Sequence, residues 1–137
     1  MSAYCFDTDV LSVLMRPHPP PHLIRRMAKV PGSEQVTTAV SLAELLYGAA
    51  RRGGEELANR AHALVDYAVN AVLPFDEAAA EVYGPLRALL ERAGRRLGEP
   101  DLRIASIALA RDLTLVTGNV KHFARVPGLR VENWLAA

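Results

Sequence analysis

The feature that most constrains this chain lies near its start. Ala3-Tyr4-Cys5-Phe6 is a short apolar run, and it ends abruptly in Asp7-Thr8-Asp9, with two carboxylates one residue apart. An apolar run of this length bounded by polar residues reads as a buried strand. Val10, Leu11, Val13 and Leu14 then switch to helical spacing, so Asp7 and Asp9 fall where a strand stops and a helix starts. In open α/β sheets ligands bind at that place, outside the carboxyl ends of the strands. Two acids there resist ionising together, because like charges a few ångströms apart raise each other's pKa. A bound cation removes the conflict. The chemistry therefore turns on whether further acids reach the same edge.

The alternation repeats along the chain. Short apolar runs at residues 35–39, 71–75, 114–117 and 129–132 read as four further strands. Helical spacing covers residues 8–15 and 22–29, separated by Arg16-Pro17-His18-Pro19-Pro20-Pro21, which cannot supply helical donors. Ser41 opens a long helix that Arg51-Arg52-Gly53-Gly54 ends, and residues 55–70 form the next. Asp76 caps a helix with Ala79, Val82, Leu86 and Leu90 on one side, and Pro100 suits the first turn of another. Strands alternating with helices imply a parallel sheet covered on both faces. The expected fold is a three-layer α/β/α sandwich around a five-stranded, mostly parallel sheet, in one domain spanning residues 1–137.

With 137 residues, half of them apolar, the chain can bury a proper core. That composition excludes a disordered tail or a coiled-coil rod. The single cysteine, Cys5, excludes an internal disulfide and a cysteine-based zinc site. No apolar run approaches the ~18 residues of a membrane span and no charged leader precedes the first strand, so a cytoplasmic protein is expected. The net charge of +1 says little about partners, but only Lys29 and Lys121 are lysine. Arginine forks onto phosphate with two bonds at once, and the pairs Arg25-Arg26, Arg51-Arg52 and Arg95-Arg96 are compatible with an RNA-facing rim. Genomic base composition accounts for an arginine bias equally well.

Each acid also has an ordinary reading. Asp7 is the hardest to explain structurally, since Thr8 or Asp9 can cap the following helix in its place. Asp9 reads equally well as that cap. Ser41 and Glu44 have the spacing of a capping box, which alone accounts for Glu44. Asp101 falls in the first turn of a helix, where the dipole favours an acid, and Asn119 follows glycine in a turn. Together they point elsewhere. Asp7, Glu44 and Asn119 each follow the end of a strand, and Asp101 starts the helix leading into the fourth. In a parallel sheet these positions share one edge, and an oxygen-rich cluster there suits Mg²⁺ or Mn²⁺.

The chain resembles a PIN domain, and specifically the VapC-type toxins of bacterial toxin–antitoxin pairs. The resemblance rests on Phe6-Asp7-Thr8-Asp9-Val10-Leu11-Ser12, Ser41-Leu42-Ala43-Glu44-Leu45-Leu46-Tyr47-Gly48, Pro100-Asp101-Leu102-Arg103-Ile104-Ala105, and Leu115-Val116-Thr117-Gly118-Asn119-Val120-Lys121-His122-Phe123 with Val126-Pro127-Gly128-Leu129. It implies a Mg²⁺-dependent ribonuclease, with Mn²⁺ as a substitute, in which water attacks the phosphodiester. Asp7, Glu44 and Asp101 match the family's acidic metal-binding residues. Asn119 stands where many members have a fourth acid, and Asp9 stands where asparagine is usual, so the charge lost at one position can return at the other. Thr117 is placed to orient the cluster. The resemblance further implies a homodimer and a small VapB-like antitoxin lying across the early helices, with Leu14, Met15, Met27, Leu45 and Leu46 as candidate contacts or core. Two alternatives stay open: a PIN-fold module that binds RNA or protein without cutting, and a haloacid dehalogenase-like phosphatase using the Asp7-Thr8-Asp9 motif.

Overall fold

A computed structural model describes residues 3–136. Five strands form one sheet: β1 (Tyr4–Phe6), β2 (Gln35–Thr38), β3 (Ala71–Leu73), β4 (Thr114–Val116) and β5 (Arg130–Glu132). Their spatial order is β3-β2-β1-β4-β5, and every pairing is parallel. The sheet is thus wholly rather than mostly parallel. The register sets Phe6 beside Thr37 on one side and Val116 on the other, so three strands end at one level around Asp7.

Seven helices connect and cover the strands: α1 (Thr8–Leu14), α2 (Pro21–Ala28), α3 (Ala39–Arg52), α4 (Glu55–Ala68), α5 (Glu77–Arg92), α6 (Glu99–Ala110) and α7 (Val120–Phe123). Strand side chains alternate between faces, and the sequence obeys this. Cys5, Val36 and Leu115 point into one core with Leu86 and Leu90 of α5 and Leu102, Ile104 and Ala105 of α6. Phe6 and Val116 point into the other with Val10 and Leu11 of α1, Leu23 of α2, Leu45 of α3 and Ala61 and Val65 of α4. The result is the three-layer sandwich expected from the pattern. Cys5 is fully buried, and burial pushes its thiol up to about 12; it packs as a small hydrophobe. No helix among the described residues is long and apolar enough to cross a membrane.

Three local expectations change. α1 is capped by Asp7 itself, whose carboxylate accepts from the Val10 N–H at 3.0 Å; Asp9 lies in the first turn and is exposed. α3 starts two residues before Ser41, because Thr38 ends β2 in an extended conformation and its hydroxyl accepts from the Ser41 N–H at 3.0 Å. The Ser41–Glu44 capping box is therefore absent. Third, the turn at Gly118-Asn119 leads into α7, four residues being too short to leave a periodic pattern.

Candidate active site

The carboxyl ends of β1, β2 and β4 carry Asp7, Thr38 and Thr117, and α1, α3 and α6 start at that same edge. Asp7 sits at its centre. Its backbone N–H continues the ladder to the Val116 carbonyl at 3.1 Å, while its carboxylate turns into the start of α1. The residue is only 3% exposed. Burial raises its pKa to about 7, against the Thr117 hydroxyl and the Val10 N–H, which favour the charged form; Asp9 and Asp101 then add like-charge repulsion. A carboxylate this buried with two acids pressing on it is an unresolved electrostatic conflict.

Asp101 enters from the first turn of α6 and is held up by burial, against the His122 imidazole, which pulls it down. His122 Nε2 lies 3.1 Å from Asp101 Oδ2. Glu44 arrives from the second turn of α3, freed of its expected capping role. Its Oε1 accepts from the Thr8 hydroxyl at 2.6 Å, so the first residue of α1 fixes the carboxylate of α3 across the site. Thr117, fully buried, has a hydroxyl that favours the charged form of Asp7 and accepts from the Asn119 N–H at 2.9 Å. One hydroxyl links the central acid to the loop that carries Asn119. The Asn119 side chain does not cap α7. It lines an open cavity of about 450 Å³ together with Asp9, Ser12, Arg16 and Leu135, so Asp9 and Asn119 share one concavity.

All of these ligand candidates are oxygen donors, the chemistry a hard divalent cation takes. Among the described residues no three acidic, histidine or cysteine side chains are drawn together as a ready ligand cage. Glu44 leans on Thr8 and Asp101 on His122. The set fits a divalent cation in donor type and in its unrelieved negative charge, with the side chains of Glu44 and Asp101 parked on neighbours. Sequence reasoning missed both neighbours. Thr8 stands 36 positions from Glu44 and His122 stands 21 from Asp101, and no spacing rule connects them.

The candidate antitoxin contacts divide. Leu14 and Leu45 are buried, and Met15, Met27 and Leu46 pack against the same core. Only Met15 and Leu45 of the five also line an open cavity of about 300 Å³, with Ala49 and Leu57 as further apolar lining and Arg16, Arg52 and Arg60 among its polar groups.

Comparison with known proteins places these features. The PIN domain family matches residues 4–129. The chain is 34% identical over 136 residues to the tRNA(fMet)-specific endonuclease VapC of Shigella flexneri, covering 98% of this chain and 99% of that one. It is 32% identical over 131 residues to ribonuclease VapC2 of Rickettsia felis, covering 96% and 97% respectively. The fold superposes on a DNA-bound VapBC from Salmonella typhimurium with a TM-score of 0.84, at 32% identity and over 98% of this chain and 99% of that one. The match leaves no place for the haloacid dehalogenase-like alternative. A parallel sheet with an acidic carboxyl edge, matched nearly end to end by ribonucleases, has one reading: the chain belongs to the PIN-domain family of VapC ribonucleases.

Proposed function

We propose that this protein is the toxin of a two-protein toxin–antitoxin pair and that it hydrolyses RNA in the cytoplasm at the edge centred on Asp7. The observation that carries this is the Asp7 carboxylate itself, buried at a strand end with Asp9 and Asp101 raising its charge penalty. Asp7, Glu44 and Asp101 are the proposed metal ligands, with Asn119 as a neutral oxygen donor and Asp9 as a supplementary charge. Nucleases of this family depend on a divalent metal. Mg²⁺, with Mn²⁺ as a substitute, supplies charge neutralisation at the phosphate and activation of water when bound. The chain's own residues do the rest. Thr8 aims Glu44, Thr117 holds Asp7 and the Asn119 loop in one arrangement, and the buried floor of Phe6, Val10 and Val116 keeps the site rigid. Preorganised groups of this kind lower the barrier by positioning rather than by bond-making.

The relative from Shigella flexneri is named a tRNA(fMet)-specific endonuclease, and tRNA is the proposed substrate class here. An antitoxin is the proposed partner, since the matched Salmonella structure is a VapBC complex, and the cavity at Met15 and Leu45 with its arginines suits an apolar segment carrying acidic residues. A homodimer of the toxin completes the proposal.

The test is cleavage of a tRNA pool with Mg²⁺, Mn²⁺ or EDTA by the wild-type chain and by Asp7→Asn. Cleavage that needs the divalent ion and vanishes in the folded variant is expected. Full activity in Asp7→Asn overturns the assignment, and RNA binding without cleavage across the metal series restores the non-cutting alternative.

A further inference from the structure

We infer that the basic groove on the Asn119 side of the site, lined by Arg95, Lys121 and Arg125, seats the RNA backbone immediately beside the scissile phosphate. The inference rests on the ribonuclease reading and deepens it. The groove is an open cavity of about 370 Å³ walled by Arg95, Asn119, Lys121, His122 and Arg125. Its cations come from two elements: Arg95 from the loop between α5 and α6, and Lys121 and Arg125 from α7 and the residues after it. Arg125 Nη1 donates to the Arg96 carbonyl at 2.9 Å, so the two walls are tied together across 29 positions of sequence. A guanidinium has five N–H donors, and that bond leaves the others for a ligand.

Arg26, Arg87, Arg103, Arg111 and Arg130 each lie within ion-pair distance of a carboxylate. Among the described residues, Arg95, Lys121 and Arg125 of this groove, like Arg16, Arg52 and Arg60 at the cavity beside Met15, have no such partner. Three uncompensated cations around one concavity complement the spacing of a polyanion. The lining holds no apolar aliphatic side chain and no phenylalanine, tyrosine or tryptophan, and its one ring, His122, has its Nε2 turned to Asp101. Its chemistry therefore reads phosphates, which position a strand, rather than bases, which specify it.

Continuity with the acids decides which phosphates. Asn119 lines this groove and also the cavity that contains Asp9. His122 forms the partition on the other side, its Nε2 turned to Asp101. A strand lying along Arg95, Lys121 and Arg125 passes Asn119 and meets the acidic edge within about one or two linkages, given the few-ångström spacing of neighbouring side chains on a short helix.

The test is binding of a fluorescent single-stranded RNA to the full chain in EDTA at several salt concentrations, with cleavage in Mg²⁺ measured in parallel. Removing one cation that neutralises a phosphate reduces the slope of log K against log[salt] by roughly 0.7 for single strands. Replacing Arg95, Lys121 and Arg125 with glutamine is expected to reduce it by about 2, so that the fall in affinity between 50 and 200 mM salt shrinks by about 20-fold. Arg111→Gln, at the opposite edge of the sheet, is the control and leaves the slope unchanged. A neutral methylphosphonate linkage next to the cut site weakens wild-type binding and adds nothing further in Arg125→Gln. An unchanged slope in the triple variant, with wild-type cleavage intact, overturns the groove and leaves the ribonuclease standing. A wild-type chain that neither binds nor cleaves RNA overturns both.

Discussion

The two flanks of the acidic edge are built from opposite materials. On the Glu44 side, Ala39, Val40, Ala43 and Pro100 line an open cavity of about 440 Å³, and the charges near it are matched: Arg103 bonds Glu99 at 3.0 Å and lies 5.7 Å over the Phe75 ring. On the Asn119 side every lining residue is polar or charged, and the three cations have no carboxylate partner among the described residues. The sheet supplies the same thing to both flanks, a level row of strand ends around Asp7 from which α1 and α3 start and beside which α6 begins. What differs is short and local: the first turns of α3 and α6 on one side, a four-residue helix and an arginine-rich loop on the other. The fold therefore provides the chemistry, and the connections decide what approaches it, which is the usual division of labour between scaffold and loop.

If that division holds, damage at the centre should outrank damage on either flank. Asp7→Asn removes the central charge while keeping a residue able to cap α1, and RNA cleavage should fall by at least about a hundredfold. The same variant tests the cost of the buried charge. Asp7 has its pKa raised from 3.8 to about 7, so its neutral form is favoured by folding. That contribution is complete below about pH 4 and falls away as pH rises through about 7. Without divalent ions, the wild-type chain should thus lose stability relative to Asp7→Asn between about pH 4 and pH 8, by at most about 4 kcal/mol for about three pKa units. Saturating Mg²⁺ should narrow the gap, since a ligand that binds only the folded, ionised form stabilises it. Denaturant melts across pH with and without Mg²⁺ measure both, and a pH-independent gap would remove the electrostatic argument for Asp7.

Next in size is the link between the centre and the apolar flank. Thr8→Val keeps the shape of the side chain and deletes the hydroxyl that holds Glu44 at 2.6 Å. A hydrogen bond to a charged group contributes about 1.5–3 kcal/mol, so kcat should drop about 10- to 100-fold with RNA affinity unchanged. Thr8→Ser should recover most of that drop. A fall in affinity with kcat intact would mean that Thr8 touches RNA and does not position Glu44.

How much of this arrangement sequence can reveal depends on whether a feature is local. β1 and Asp7 are legible because an apolar run and an abrupt acid are adjacent in the chain. The strand alternation that sends Cys5 and Phe6 to opposite cores is legible for the same reason. Glu44 is legible as a position but not as a role, because Thr38 takes the cap and moves the helix boundary by two residues. Asp7 takes the cap that Asp9 could have supplied while remaining the central buried acid, since cap identity depends on backbone conformation at the strand end and not on residue type alone. The pairs Thr8–Glu44 and Asp101–His122 are not legible at all. They form where side chains from different elements meet, and nothing in the spacing of 36 or 21 positions encodes that meeting.

The charge exchange between Asp9 and Asn119 is the smaller effect on the basic flank. The two line one cavity, so a single charge added or removed there would act on a cation bound between them. Asp9→Asn should weaken divalent binding several-fold, as expected for one charge at a partly solvated distance, and Asn119→Asp in that background should restore it. Calorimetric titration of Mn²⁺ measures the cycle. Undiminished affinity in Asp9→Asn would end the compensation hypothesis.

The smallest effect should come from the matched charges of the apolar flank. Arg103 is half exposed, and its guanidinium already serves Glu99 and the Phe75 ring. An exposed ion pair of this kind contributes about 0–1 kcal/mol to stability, and a cation occupied by a carboxylate offers little further attraction to a phosphate. Arg103→Gln should leave RNA affinity within about twofold and the salt slope unchanged, since the number of neutralised phosphates stays the same. Arg125→Gln, one charge on the opposite flank, should shift both. Equal salt slopes for the two variants would mean that RNA approaches from both sides alike, and that compensation by carboxylates does not separate binding arginines from structural ones. A larger effect for Arg103 would place the backbone on the Glu44 side, reversing the polarity of the site with its chemistry unchanged.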